Sequence, residues 1–136
     1  MSGHLERTYR AYLDALNGRR LDDLDQFVHD QVVYNDTSIT RQQYAQMIAE
    51  DVRKIPDLHF TIDQCVTGDD VVACRLWFDC TPEDEFAGIP PTGRPVTFAE
   101  HVFYRFQDGR IERVWSLIDI NAVRDQMASD PSAATW

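Results

Sequence analysis

The stretch Phe86-Ala87-Gly88-Ile89-Pro90-Pro91-Thr92-Gly93-Arg94-Pro95-Val96-Thr97-Phe98 decides how this chain is read. Its Pro-Pro-Thr-Gly segment excludes helix. Proline removes a backbone donor, fixes φ and pushes the residue before it to extended geometry. Gly93 permits a turn there. Beyond the turn, Val96 to Phe106 and Ile111 to Ile118 are rich in β-branched and aromatic residues. Asp108-Gly109 between two such runs signals a hairpin. Residues 81 to 95 then form one long irregular loop, and loops of that length in compact domains carry function or are disordered. Phe86 and Ile89 give it apolar contacts, and Pro90 and Pro91 stiffen it, so it reads as a rim or lid over a pocket.

Upstream of this loop, Leu5, Tyr9, Tyr12, Leu13 and Leu16 recur at helical spacing, which predicts an amphipathic helix over 3–17. A short helix follows over 21–27, and 31–35 reads as a first strand. Thr40 with Gln43 three residues on forms a capping box, opening a helix over 41–55 that stops at Pro56. Leu58 to Cys65 and Val71 to Cys80 read as strands around a Thr67-Gly68-Asp69-Asp70 turn. In the second strand the even positions are all apolar, while the odd ones mix Arg75, Trp77 and Asp79 with Val71 and Ala73. One face is dry and the other mixed. Residues 121–127 form a short last helix, and 129–136 read as a frayed tail. Helices first and antiparallel strands after them is α+β order, in one domain spanning 1–136.

The hairpin register decides which polar side chains share a face. A two-residue Asp108-Gly109 turn would pair Gln107 with Arg110 and set His101 opposite Ser116. A three-residue Gln107-Asp108-Gly109 loop would pair Phe106 with Arg110, His101 with Trp115 and Asp119 with Thr97. The second is preferred, because Thr97, His101, Phe103, Trp115 and Asp119 then share a face that mixes polar and aromatic groups, as a ligand pocket does. Asp119 would then stand four residues from His101 along the strands, about 13 Å at the strand rise. The opposite face would hold Val96, Phe98, Glu100, Val102, Tyr104, Val114, Ser116 and Ile118.

The Gly88-Ile89-Pro90-Pro91-Thr92-Gly93-Arg94 loop running into this hairpin resembles the SnoaL-like polyketide cyclases of the nuclear-transport-factor-2-like superfamily. The resemblance implies a cone: a strongly curved, mostly antiparallel sheet wrapped on the N-terminal helices around an internal pocket. It implies a hydrophobic carbonyl substrate closed by intramolecular aldol condensation, with no metal and no organic cofactor. By residue type and place, Asp119 resembles the family's general acid/base, closing a Trp-x-x-x-Asp pattern from Trp115. His101 resembles its histidine and Asn35 its amide. Trp77, Phe86, Phe103 and Trp115 join Asn35 as expected substrate contacts. A carboxylate among Trp115, Leu117 and Phe103 would have its pKa raised toward that of a working base.

Each of these residues has a structural reading beside the functional one. Asp119 would cap the last helix, His101 would be a satisfied core histidine, Asn35-Asp36 would be a turn, and both tryptophans would be core. A non-catalytic binding or accessory domain, or an isomerase, dehydratase or hydrolase on the same scaffold, stays open beside the cyclase.

Composition narrows the classes further. The net charge of −10 disfavours nucleic acid and anionic membrane as partners. No run of about 18 apolar residues exists to span a bilayer. His4, His29 and His59 show no metal-ligand spacing. The N-terminus turns polar at once, without the apolar core of a secretory signal. Cys65, Cys74 and Cys80 are odd in number, lack Cys-x-x-Cys spacing and read as reduced thiols of a cytoplasmic protein. The mixed strand face carrying Arg75, Trp77 and Asp79 predicts a homo-oligomer, dimer or tetramer, joined through the open sheet.

Overall fold

A computed structural model describes residues 2–128. The expected tail at 129–136 lies outside them. Helix α1, Ser2–Asn17, buries Leu5, Tyr9, Tyr12, Leu13 and Leu16 along one face. The chain leaves it through Arg19 at φ 59° and a 3-10 turn over Leu21–Gln26. Strands β1, Val28–Tyr34, and β2, Thr37–Thr40, form a hairpin that the sequence reading missed. Its two turn residues, Asn35 and Asp36, both have positive φ, 50° and 97°, the backbone that tight hairpins favour and that Asn and Asp tolerate. Helix α2, Arg41–Lys54, opens on the expected capping box: Thr40 accepts from Gln43 N–H while the Gln43 side chain accepts from Thr40 N–H.

Strands β3, Thr61–Thr67, β4, Val71–Cys80, β5, Val96–Gln107, and β6, Arg110–Ile118, complete a curved six-stranded sheet in the order β2-β1-β6-β5-β4-β3. All neighbours are antiparallel except β1 and β6. Helix α3, Ile120–Ala128, follows β6 and packs Val123 and Met127 into the core. β3 starts three residues later than expected and runs two residues further. Ahead of it, the Asn17 side chain acts as a substitute strand: its amide donates to Phe60 C=O and accepts from Phe60 N–H at 2.7 Å. That clamp fixes Phe60 over the sheet.

The β5–β6 hairpin corrects the preferred register. Asp108 and Gly109, at φ 53° and 81°, make a two-residue turn, and Gln107 pairs with Arg110. A bulge follows at once: Phe106 pairs with Ile111, but Arg105 pairs with Arg113. The extra residue, Glu112, changes the parity back. His101 therefore pairs with Leu117, and Asp119 N–H bonds Ala99 C=O. His101 and Asp119 share a face after all, two residues apart rather than four.

Which face is covered is the larger correction. Helices α1 and α2 pack on the side of Val72, Leu76, Phe78, Phe98, Val102, Tyr104 and Val114, which form the core. The side of His101, Phe103, Trp115 and Asp119 is the outer one. It leaves Phe103 50%, Trp77 39%, Val66 67% and Leu117 78% exposed.

Candidate functional site

The inner face of the sheet holds a small cavity between α2, the 81–95 loop and the strands. Asp51, Ile55, Leu58, Phe60, Phe78, Phe86, Phe98, Glu100 and Ile118 line it. Four phenylalanine rings form its wall. Phe78 stacks on Phe98 at 5.0 Å between centroids, Phe60 meets Phe78 edge-on at 5.5 Å, and Phe86 lies 5.6 Å from Phe98. The free volume is about 40 Å³, room for one water molecule.

Two carboxylates enter this apolar space. Glu100 projects from the middle of β5, and the Ser116 hydroxyl on β6 donates to its Oε2. Burial pushes the Glu100 carboxyl up to about 7; the Ser116 bond opposes the rise and the Asp51 charge adds to it. Asp51, from the last turns of α2, stands at the mouth and still reaches solvent. Its carboxyl is raised to about 6 by desolvation, with Lys54 pulling it down and Glu50 pushing it up. Tyr34, at the end of β1, also meets Ser116, and burial raises its hydroxyl.

Ser116 is itself held in place. The Asn35 amide accepts from Ser116 N–H at 2.8 Å and donates to Ser116 C=O at 3.2 Å. The turn residue at positive φ thus extends β1 along β6 with its side chain. Behind Glu100 lies a packed group of tyrosines: Tyr12 and Tyr44 share a 2.6 Å hydrogen bond, and the Tyr34 ring lies 6.1 Å from that of Tyr44, tilted by 54°.

The site residues expected from sequence divide sharply. Phe86 lines the cavity. Asn35 supports it from one step away, through Ser116. His101, Trp77, Phe103, Trp115 and Asp119 lie on the outer face. Asp119 is exposed there, and its Oδ1 accepts from Ala122 N–H at 3.1 Å, capping α3. His101 Nε2 accepts from Arg75 at 2.8 Å, and Arg75 also donates to Asp63. Trp115 is flanked by the guanidinium groups of Arg105 and Arg113, 5.3 Å and 4.6 Å from its ring centre. Asp119, His101, Arg75 and Leu117 border an open groove of about 240 Å³ on that face.

Glu100, Ser116, Tyr34 and Asp51 were missed as site residues, though two signals were present. Glu100 is the one acid on a strand face otherwise made of Val96, Phe98, Val102 and Tyr104. Asp51 falls three residues after Ile48 and four before Ile55, at the solvent-facing margin of the side that these two buried residues mark. Among the described residues no group of three or more His, Cys, Asp or Glu is arranged to hold a metal. No described helix is long and apolar enough to cross a membrane.

A family model described as SnoaL-like polyketide cyclase matches residues 6–127. A solved SnoaL-like polyketide cyclase from Agrobacterium tumefaciens is 43% identical, with a TM-score of 0.87 over 90% of this chain and 96% of that one. IdmH from Streptomyces antibioticus, a proposed polyketide cyclase, is 25% identical with a TM-score of 0.81, covering 92% of this chain and 99% of its own. AclR from Streptomyces galilaeus, a proposed hydroxylase, shares the fold at 20% identity and a TM-score of 0.79, covering 96% of this chain and 100% of its own. No curated protein matches the sequence significantly.

Proposed function

Since this chain belongs to the SnoaL-like polyketide cyclase family, we propose that it acts on a hydrophobic carbonyl compound without metal or organic cofactor, with Glu100 as general acid/base. One observation carries the reading: a carboxyl raised to about 7 lines an aromatic cavity. A base with that pKa is half ionised near neutral pH and can both take and return a proton. Glu100 would remove a proton next to a substrate carbonyl. Ser116, Tyr34 and the protonated form of Asp51 are the donors within reach for the enolate oxygen. Attack of the enolate carbon on a second carbonyl of the same molecule would close a ring. The proton held by Glu100 would then neutralise the new alkoxide. This is an aldol cyclisation; isomerisation or dehydration would use the same groups.

A cavity of about 40 Å³ holds no polyketide. Phe86 and Ile89 form a two-residue hairpin of their own, with Ala87 at φ 55° and Gly88 at φ 78°. In this reading that hairpin is the lid, and Phe86 leaves the cavity when substrate enters. The lid's near end stays tied to α2 by Glu83 N–H to Lys54 C=O and by the Arg53–Asp84 pair at 3.0 Å.

The outer pair, Asp119 and His101, is a second reading, favoured by their shared groove and by the Trp-x-x-x-Asp pattern. A third is a binding domain without turnover. The exposed Val66, Trp77, Phe103 and Leu117 would serve a homodimer or tetramer joined sheet to sheet, and the three free thiols suit a cytoplasmic protein.

Aromatic ketones bearing β-keto side chains, followed by absorbance and mass for ring closure, separate these readings. Turnover that survives Asp119→Asn but not Glu100→Gln supports the inner site. The reverse result transfers the chemistry to the outer groove. Saturable binding of the ketones with no product supports the binding domain.

A further inference from the structure

Cys65 and Cys74 stand directly opposite each other on β3 and β4, with β3 at the free edge of the sheet. Their position in the ladder is informative. Gly68 N–H donates to Val71 C=O at 2.8 Å, so the hairpin closes on a hydrogen-bonded pair. Antiparallel pairs alternate. Thr67–Val72 is then a non-hydrogen-bonded pair, Val66–Ala73 a hydrogen-bonded one, and Cys65–Cys74 again non-hydrogen-bonded. At such sites the Cα atoms approach to roughly 4.5 Å, inside the span of about 4.4–6.8 Å that a disulfide bridges.

The pair also differs in access. Cys74 is buried, against the Tyr9 hydroxyl of α1, whereas Cys65 is only half-buried. Cys65 therefore meets a reagent from the sheet edge, near Glu6 and Arg10. Cys80, six residues along β4, faces Val96 and has no thiol opposite it.

We propose that Cys65 and Cys74 are a redox-modification site, at which a small-molecule disulfide of the glutathione class converts the two thiols to an intrachain cross-strand disulfide. The thiolate of Cys65 attacks one sulfur of oxidised glutathione. The reagent's S–S bond breaks and one glutathione thiolate leaves. Cys74, deprotonated in turn, attacks the Cys65 sulfur of the mixed disulfide and expels the second glutathione thiolate. The two protons lost by the cysteines end on the two glutathiones. The protein is oxidised by two electrons and the reagent is reduced by two. Burial holds both thiols high, Cys74 at about 11, so exchange is slow and begins at the more accessible Cys65. The product ties the edge strand β3 covalently to β4.

The test uses the folded chain with oxidised glutathione, followed by acid quenching, alkylation, intact mass and peptide mapping. The expected product has lost two hydrogens, links the Cys65 and Cys74 peptides, leaves Cys80 open to alkylation and reverts with dithiothreitol. Cys80→Ser should give the same product. Cys65→Ser and Cys74→Ser should each abolish it. A stable glutathione adduct on the wild type, a bond involving Cys80, no loss of alkylatable thiol, or closure only after unfolding in urea would each overturn the proposal.

Discussion

Glu100 and His101 are neighbours in the chain and lie on opposite faces of β5. Glu100 points inward among phenylalanine rings, and its carboxyl is raised to about 7. His101 points outward, exposed, into a ladder with Arg75 and Asp63. The two faces carry similar side chains: aromatic rings, a carboxylate, a hydrogen-bonding partner. They differ in what covers them. Removal from water is what turns a carboxylate into a base useful near neutral pH, and the inner face alone has it.

The largest expected contrast is in turnover. On a converted ketone, Glu100→Gln should lower kcat by about 100- to 10,000-fold, the usual worth of a positioned general base. Asp119→Asn and His101→Ala should change it less than about threefold. The next contrast is in stability, within one strand. Phe98, 3% exposed, should cost about 3–5 kcal/mol when cut to Ala. Phe103, 50% exposed, should cost within about 0.5 kcal/mol of nothing in the monomer. Urea unfolding of both variants measures the difference, and equal losses would dissolve the distinction between the faces.

A third prediction uses pH. A carboxyl raised from 4.5 to about 7 on folding binds its proton more tightly in the native state. Its contribution is fully present below about pH 4.5 and is lost as pH rises through about 7, amounting to about 3 kcal/mol. Asp51 adds a slope of the same sign. The stability of wild type minus that of Glu100→Gln should therefore fall over that window and be level above it. A flat difference would mean that Glu100 ionises as freely as in water. The smallest effect on the fold belongs to Leu117→Glu, at 78% exposure. It should leave monomer stability within about 0.5 kcal/mol. If the outer face joins two copies, sedimentation should shift from dimer to monomer, because each Leu117 would bring an unpaired charge to the interface.

Much of the fold was legible in the chain. The spacing of Leu5, Tyr9, Tyr12 and Leu16 announced α1, the Thr40–Gln43 box set the start of α2, and the uniformly apolar even positions marked Val71–Cys80 from end to end. These are local effects, decided by helical and strand periods and by caps within a few residues. The Asp108-Gly109 hairpin was local too, and so visible, although the three-residue loop was preferred to the two-residue turn that forms. The bulge at Glu112 was not, because nothing in an isolated hairpin says which strand will carry the extra residue. The Asn35-Asp36 turn was recognised as a turn, but its pairing with Ser116 depends on β6, 81 residues away.

The candidate site shows the limit most clearly. A period of two sorts Glu100 from His101 and Phe98 from Phe103, so the sequence alone determined which residues travel together. It did not determine which set the protein covers, because both sets are rich in aromatic rings. Only the packing of α1 and α2 on one side of the sheet chose the inner face. That choice rests on long-range burial, which sums over the whole core and is written at no single position.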